Sequence, residues 1–233
     1  MKFLERLGVL SLLAAGVLAP DPARANLSGF DSQSSFLAAI SGLTGAQTVN
    51  FDSDAAGTTF ASGTGTGGLT FTYSIAGPST LQVSDTFATT SGQNYLGLDN
   101  PDTAFYLGDS VTIDFGRTVH AVGLYLIAGR DAQAGDMELS VAGGSVFNSA
   151  TADATVSDGG MAFYLGLIES DPALGFSSVT VHFTSTPGAF LAISADDITS
   201  AGGPVVGVVP EPGTWLLTLA GLCTLAAAHR RRR

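Results

Sequence analysis

The chain has 233 residues, 45% of them hydrophobic and 12% charged, with a formal net charge of −11 at pH 7. Most of its nine basic residues lie near the two ends, so residues 26–209 contain two arginines against 17 acidic residues, a net charge of −15. This balance argues against nucleic acid and anionic membrane surfaces as partners of that region, because phosphate groups are bound by clustered Lys and Arg. The acidity favours either cation binding or simple solubility.

The amino-terminal segment has the three parts of a secretory signal peptide, which are basic residues, an apolar run and a small-x-small motif. These parts are, in chain order, Lys2, Arg6, Leu7–Ala19, Ala23 and Ala25. We therefore expect a signal peptide over residues 1–25 that signal peptidase removes, with a mature chain that starts near Asn26.

One short helix is predicted at the start of the mature chain. Asp31 would cap this helix, Phe36, Leu37 and Ile40 would share one face, and Gly42 would end it. We expect the first β-strand to follow it.

The rest of the chain to residue 200 consists of short segments that alternate apolar and polar residues or are apolar throughout, which is typical of β-strands. Val119–Ile127 is apolar at nearly every position, which predicts a central strand covered on both faces. About ten such segments without a long helical pattern predict one all-β domain over residues 26–200, a β-sandwich of the jelly-roll type. The segments are Thr48–Phe51, Leu69–Ile75, Leu81–Val83, Tyr95–Leu98, Val111–Phe115, Val119–Ile127, Met137–Val141, Ala162–Ile168, Val179–Phe183 and Phe190–Ile193.

Four aspartates are candidate metal ligands. Asp52 and Asp54 begin like a calcium-binding loop, since Ca²⁺ prefers several carboxylate oxygens, but the later ligand positions of an EF-hand are absent. A structural Ca²⁺ could instead join Asp52 or Asp54 to Asp196 or Asp197 across the first and last strands. The domain resembles carbohydrate-binding jelly rolls, which often carry such an ion. The alternative is that these residues simply end strands and bind water.

Sugar binding is a second candidate chemistry. Sugar sites stack an aromatic ring on the pyranose and surround it with hydrogen-bonding groups. Tyr95 and Tyr106 flank a polar turn at residues 99–102 and are the candidate contacts, although tyrosines of the core are the alternative. No nucleophile or zinc motif occurs, so the sequence favours a protein that is not an enzyme, with a hydrolase built on an unrecognised carboxylate pair as the competing possibility.

The carboxyl-terminal part has the pattern of a tether followed by a membrane helix. Residues 201–209 are rich in Gly, Pro and Val and predict a linker. Thr214–Ala228 is an apolar segment somewhat shorter than the usual span of about 20 residues, and Trp215 suits the membrane interface. Four arginines end the chain and belong on the cytoplasmic side, so the domain before the helix would face outward. They are Arg230, Arg231, Arg232 and Arg233.

Val209–Trp215 contains the triplet Pro210, Glu211 and Pro212, and the apolar segment and arginine tail follow it. These 24 residues from Pro210 resemble the PEP-CTERM sorting signal of Gram-negative bacteria. The resemblance implies recognition by an exosortase near the triplet, a transient stay in the inner membrane with the domain on the periplasmic side, and a final place in the envelope or extracellular matrix. It further suggests a structural or adhesive role with exopolysaccharide or biofilm. The alternatives are a secreted polysaccharide-active hydrolase or a carbohydrate-binding module with a structural calcium ion.

Overall fold

The computed structural model describes residues 26–184 and 192–203, which fold into fourteen strands and one α-helix. The helix α1 is Gln33–Ala39 and continues into a 3₁₀ turn at Ile40–Gly42. The strands are β1 Leu27–Phe30, β2 Gln47–Val49, β3 Thr59–Phe60, β4 Thr70–Ser74, β5 Leu81–Ser84, β6 Tyr95–Leu98, β7 Ser110–Val119, β8 Ala121–Ala128, β9 Met137–Val141, β10 Gly144–Phe147, β11 Ala154–Thr155, β12 Met161–Glu169, β13 Phe176–Phe183 and β14 Ile193–Ala201.

The strands form two antiparallel sheets. The large sheet has nine strands in the order β1-β12-β8-β14-β6-β5-β3, with β11 paired to β12 and β2 to β14. The small sheet has the order β10-β9-β13-β7-β4. Apolar residues from both sheets, among them Phe71, Leu124 and Val181, form one buried core. The predicted β-sandwich is therefore confirmed, while the jelly-roll topology stays a prediction.

Strand β8 lies inside the large sheet, between β12 and β14, and every one of its residues is buried. Val122, Leu124 and Leu126 belong to the core between the sheets. Tyr125 and Ile127 belong to a second core on the outer face. A strand covered on both sides needs apolar residues at every position, which is the pattern that the sequence predicted for this segment.

Helix α1 covers that outer face. Phe36 is fully buried there, and its ring lies 5.5 Å from that of Tyr164. Three details of the predicted helix were wrong. Strand β1 precedes the helix, Ser32 rather than Asp31 is the N-cap residue, and Leu37 is 43% exposed. A helix this short buries a single narrow stripe, so the flanking Leu37 faces solvent.

The described ends of the chain lie at the same end of the large sheet, called here the termini end. Leu27 pairs with Glu169, Ile168 with Ala121, and Ala121 with Ala201, so these residues form a row across β1, β12, β8 and β14. Three strand spacings place Leu27 and Ala201 about 14 Å apart. At the far end of the same sheet, Ala128 pairs with both Met161 and Ile193.

Strand β14 extends to Ala201, and Gly202 then donates its N–H to the Thr44 carbonyl at 2.7 Å. The first residues of the predicted linker are thus hydrogen-bonded to the sandwich. Within 26–184 and 192–203, no helix is long and apolar enough to cross a membrane.

Both predicted targeting segments lie outside the described residues, so the predictions made for them are not tested by the fold. They comprise the signal peptide and its cleavage motif, most of the linker, the sorting triplet, the membrane helix Thr214–Ala228 and the arginine tail. The individual residues concerned are Ala23, Ala25, Pro210, Glu211, Pro212, Arg230, Arg231, Arg232 and Arg233.

Candidate ligand cavity and the loop beside it

A cavity of about 460 Å³ opens at the far end of the large sheet. Its wall is mainly apolar, with side chains of Phe87, Ile127 and Ile193, and its charged residues are Arg130 and Asp158. This volume and this mixture of an apolar wall with a few polar groups are typical of sites that bind small molecules or single sugar units.

Phe87 is the exposed aromatic residue of the cavity. It lies in the loop between β5 and β6, residues 85–94, called here the Phe87 loop. Its side chain is 46% exposed, and its ring stacks on Tyr95 with centroids 6.4 Å apart and planes 25° apart. One face of Phe87 is therefore supported by the core, while the ring remains accessible from solvent.

Asp196 and Asp197 hold the middle of this loop. One oxygen of Asp196 accepts hydrogen bonds from the backbone N–H of Thr90 and of Ser91, both at 3.2 Å, and from the Thr90 hydroxyl at 2.8 Å. Asp197 accepts a hydrogen bond from the Ser91 hydroxyl at 2.6 Å. Buried carboxylates that accept hydrogen bonds from several N–H and O–H groups of one loop fix its backbone. Moving the loop would leave these buried groups without partners, and each would then carry a desolvation penalty.

A β-bulge explains how two successive residues contact the same loop. The pairing of β14 with β8 shifts register between Asp196 and Thr199, and Asp197 has a φ of 52° in the left-handed region. In a regular strand, neighbouring side chains point to opposite faces, so the bulge is what brings both carboxylates together.

Asp52 and Asp158 hold the two ends of the loop. Asp52 accepts hydrogen bonds from the backbone N–H of Gln93 at 2.8 Å and of Asn94 at 3.1 Å. Gly92 is required beside it, because a Cβ there would lie 1.8 Å from an Asp52 oxygen. Asp158 accepts a hydrogen bond from the backbone N–H of Ala88 at 3.0 Å, the largest of the causes that lower the pKa of this carboxyl. Four carboxylates therefore fix the loop that presents Phe87.

The side chains of three of the four predicted calcium ligands, Asp52, Asp196 and Asp197, thus contact one loop. The side chain of Asp54 instead accepts a hydrogen bond from the Thr66 hydroxyl at 3.0 Å, and only its backbone carbonyl contacts the loop, through the Asn94 side chain at 2.8 Å. In the described part of the chain, no three Asp, Glu, His or Cys side chains are grouped to hold a metal ion. The oxygens accept hydrogens that a cation would have to displace. Calcium binding stays a prediction, which the following experiment tests.

The burial of Asp196 predicts that the stability of the fold falls as the pH rises toward 7. Its side chain is fully buried, and this burial, followed by the nearby charge of Asp197, raises its pKa to about 7. The unfolded chain has an ordinary carboxyl pKa of about 3.9, so between these values the folded protein binds the proton more tightly. The free energy of unfolding should therefore fall by up to about 1.4 kcal/mol per pH unit from pH 5 to 7 and level off above it.

Thermal melts in EDTA between pH 5 and 8 measure this effect. Asp196→Asn should remove the slope, and Asp131→Asn, which changes an exposed acid, should retain it. Asp158 contributes only below its ordinary pKa, outside this range. Bound calcium would keep Asp196 ionised, so a melting temperature that rises on adding Ca²⁺ at pH 8 would support the ion and contradict a loop held by hydrogen bonds alone.

The structure corrects one of the two predicted sugar contacts. Tyr95 is fully buried and its hydroxyl lies 2.7 Å from that of Thr103, so its ring cannot stack on a ligand and instead supports Phe87. Tyr106 is half-buried and donates a hydrogen bond to Asp102 at 2.6 Å, which raises its pKa to about 12. Contact of Tyr106 with a sugar stays a prediction.

Sequence reasoning missed Phe87 because it considered tyrosines only. The available signal was a single large apolar residue inside the polar stretch 84–94, where no strand or helix pattern would bury it. Arg130 was also overlooked, although it is one of two basic residues between 26 and 209.

The described residues define a two-sheet antiparallel β-sandwich with an open cavity at the end opposite the termini. Residues 208–233 match the family model of the PEP-CTERM protein-sorting motif. The chain is therefore an exported protein that an exosortase sorts, with transient anchoring through its carboxyl-terminal region. No curated protein matches the chain. Among solved structures, it is similar to the K2 cleaved adhesin domain of Lys-gingipain, with 14% identity, a TM-score of 0.41, and coverage of 68% of this chain and 98% of that one.

Proposed function

We propose that this protein is a non-enzymatic component of the cell envelope or extracellular matrix, and that its cavity binds a polysaccharide of that matrix. The sorting motif at residues 208–233 supports export to the envelope or matrix. The cavity with its exposed, supported aromatic ring is the observation that carries the binding role.

The position of the cavity suits a protein that is held by its carboxyl-terminal segment. The described chain ends at Gly203, at the termini end, and the cavity lies at the other end of β8. Eight strand residues separate these ends by about 25 Å. A membrane segment attached after Gly203 would therefore join the sandwich at the end opposite the cavity, which leaves the cavity open to extracellular chains.

The chemistry of the cavity suits a sugar. The ring of Phe87 offers an apolar face for a pyranose. Arg130 is exposed, and its guanidinium lies against Gly159, where a Cβ would be 3.0 Å from a nitrogen. A guanidinium there can donate hydrogen bonds to hydroxyl or carboxylate groups of a sugar.

A hydrolase would need two carboxylates facing one cleft, about 5 to 10 Å apart. Among the described residues that line the cavity, Asp158 is the one acid, and both of its oxygens accept hydrogen bonds from backbone N–H groups. This composition favours binding over hydrolysis.

Replacing Phe87 with alanine tests the proposal. Loss of the ring should weaken binding to a matrix polysaccharide, first identified on a glycan array, about tenfold, since an aromatic stacking contact contributes on the order of 1 kcal/mol beyond its buried area. Calorimetry of the purified exported protein measures the affinity.

The matched control is Phe147→Ala, which removes an equally exposed ring, at 48%, from the edge strand β10, away from the cavity. It should leave the affinity unchanged. A blank glycan array, or equal losses in the two variants, would contradict a polysaccharide site at Phe87.

A further inference from the structure

Glu169 is a buried carboxylate at the termini end of the large sheet. It ends strand β12, and its side chain is only 3% exposed. Its oxygens accept hydrogen bonds from the backbone N–H of Asp171 at 2.8 Å and from the backbone nitrogen of Asn26 at 3.1 Å. A carboxylate removed from water in this way requires a positive partner or several strong donors, because its desolvation is costly.

No side chain within 26–184 and 192–203 supplies that positive charge. Arg117 donates to the Gly45 carbonyl and the Ser200 hydroxyl. Arg130 lies beside Gly159 at the far end of the sheet. These are the basic residues between positions 26 and 209 apart from two histidines. His120 reaches Glu169 through its backbone carbonyl, while its ring packs on Gly175 and Gly203.

The backbone nitrogen of Asn26 is placed to donate more than one hydrogen bond to Glu169. Its nitrogen lies at the same distance, 3.1 Å, from both oxygens of Glu169. A peptide nitrogen has one hydrogen to share between two such oxygens, whereas an α-ammonium group has three and carries a positive charge. The Asn26 carbonyl is held as well, by the backbone N–H of Ser170 at 3.2 Å and by its hydroxyl at 3.1 Å.

We infer that signal peptidase cuts between Ala25 and Asn26, and that the α-ammonium group created by this cut forms an ion pair with the buried Glu169. This inference rests on the predicted signal peptide and on the exported role proposed above. The small-x-small motif ending at Ala25 points to the same bond from the sequence side. Hydrolysis of that peptide bond by water leaves a carboxylate on Ala25 and the amine on Asn26, which takes up a proton at neutral pH.

Through this ion pair, removal of the signal peptide would increase the stability of the large sheet. Asn26 directly precedes β1, an edge strand of the large sheet that pairs with β12 alone. Before the cut, the nitrogen of Asn26 is a neutral amide. After it, a charge-assisted pair fixes the start of β1 to the end of β12, and such pairs are roughly twice as strong as neutral hydrogen bonds. Removal of the leader thus stabilises the edge strand β1.

The composition of the chain permits a specific chemical test. Its single lysine is Lys2, within the signal peptide. After a cut before Asn26, the α-amine is the one primary amine in the protein, so an amine-reactive ester labels this group and no other. The ester reacts with the unprotonated amine, and a carboxylate that stabilises the ammonium slows the reaction.

The experiment uses the exported protein purified from cells. Mass spectrometry first identifies its amino-terminal residue. The labelling rate is then measured at pH 7 for the folded protein and for the same protein in urea. We expect Asn26 at the terminus and labelling about tenfold slower in the folded protein, which corresponds to an ion pair of about 1.4 kcal/mol. Glu169→Gln should bring the folded rate to within about twofold of the urea rate, whereas the exposed control Asp131→Asn should not change it.

The possible outcomes distinguish failure of the ion-pair inference from failure of the proposed export. A chain that still begins at Met1 would refute both. A chain cut at another bond would overturn the ion pair and leave export intact. Equal labelling rates in folded and unfolded wild-type protein would also overturn the pair, and this comparison does not depend on whether the Glu169→Gln variant folds.

Discussion

Replacement of Pro210, Glu211 and Pro212 by alanine should leave the protein at full length in the membrane fraction, with its β-sandwich on the periplasmic side. The triplet belongs to the sorting motif matched at residues 208–233, and an exosortase that does not recognise the chain cannot cut it. An uncut chain keeps Thr214–Ala228, whose apolar side chains partition into the bilayer. We expect nearly all of the variant in membranes, compared with a shortened, released wild-type protein.

Fractionation followed by mass spectrometry measures this result. The matched control replaces Pro204, Val205 and Val206 by alanine, since these residues also contain a proline but precede the matched motif. The control should be processed normally. Unchanged release of the Pro210–Pro212 variant would show that the triplet is not needed for processing and would contradict sorting through it.

Gly97→Ala should strongly destabilise the domain, and it should disturb the residues that support Phe87. Gly97 is buried in β6, and a Cβ there would lie 2.0 Å from the backbone carbonyl oxygen of Thr103 and 3.1 Å from the ring of Tyr95. Thr103 already has a φ of 48°, so its backbone has little freedom to withdraw. Tyr95 is the residue on which Phe87 stacks.

Overpacking of this kind costs roughly 3 kcal/mol, which for a domain of this size lowers the melting temperature by about 10 °C. Calorimetric melts of the exported protein measure the change. Gly42→Ala is the control, because a Cβ at Gly42 meets no atom within 4 Å, and its melting temperature should change by less than about 2 °C. A melt of Gly97→Ala equal to that of the wild type would show that β6 and Thr103 can separate, and the rigid support proposed for Phe87 would be wrong.

The two proposals place different chemistry at the two ends of one sheet. The termini end holds Asn26 and Glu169, which the inferred ion pair would join after removal of the leader. The far end holds Phe87 and Arg130, which line the cavity proposed as the polysaccharide site. Strand β8 and its neighbours connect these ends through a core that is buried on both faces, so cutting and anchoring at one end leave the cavity at the other unobstructed.

The sequence alone determined the features that depend on local pattern. The PEP-CTERM motif is a contiguous segment, and the strands of the sandwich are encoded by alternation within a few residues. The central position of β8 followed from its unbroken apolar run, because burial on two faces leaves no place for polar residues. The short strands β1, β3, β10 and β11 were missed, since two to four residues carry too little periodicity. The last predicted strand, Phe190–Ile193, lies partly outside the described residues, and β14 begins where this segment ends, at Ile193.

Only the tertiary structure decided the sites. Asp196 contacts Thr90 across 106 positions and Asn26 contacts Glu169 across 143, and no local pattern encodes such pairs. The bulge at Asp197 turned two predicted metal ligands toward the Phe87 loop, and packing buried Tyr95 while leaving Phe87 exposed. The physical reason is that exposure and hydrogen bonding depend on what the rest of the fold places beside a residue, whereas hydrophobic periodicity depends only on its neighbours in the chain.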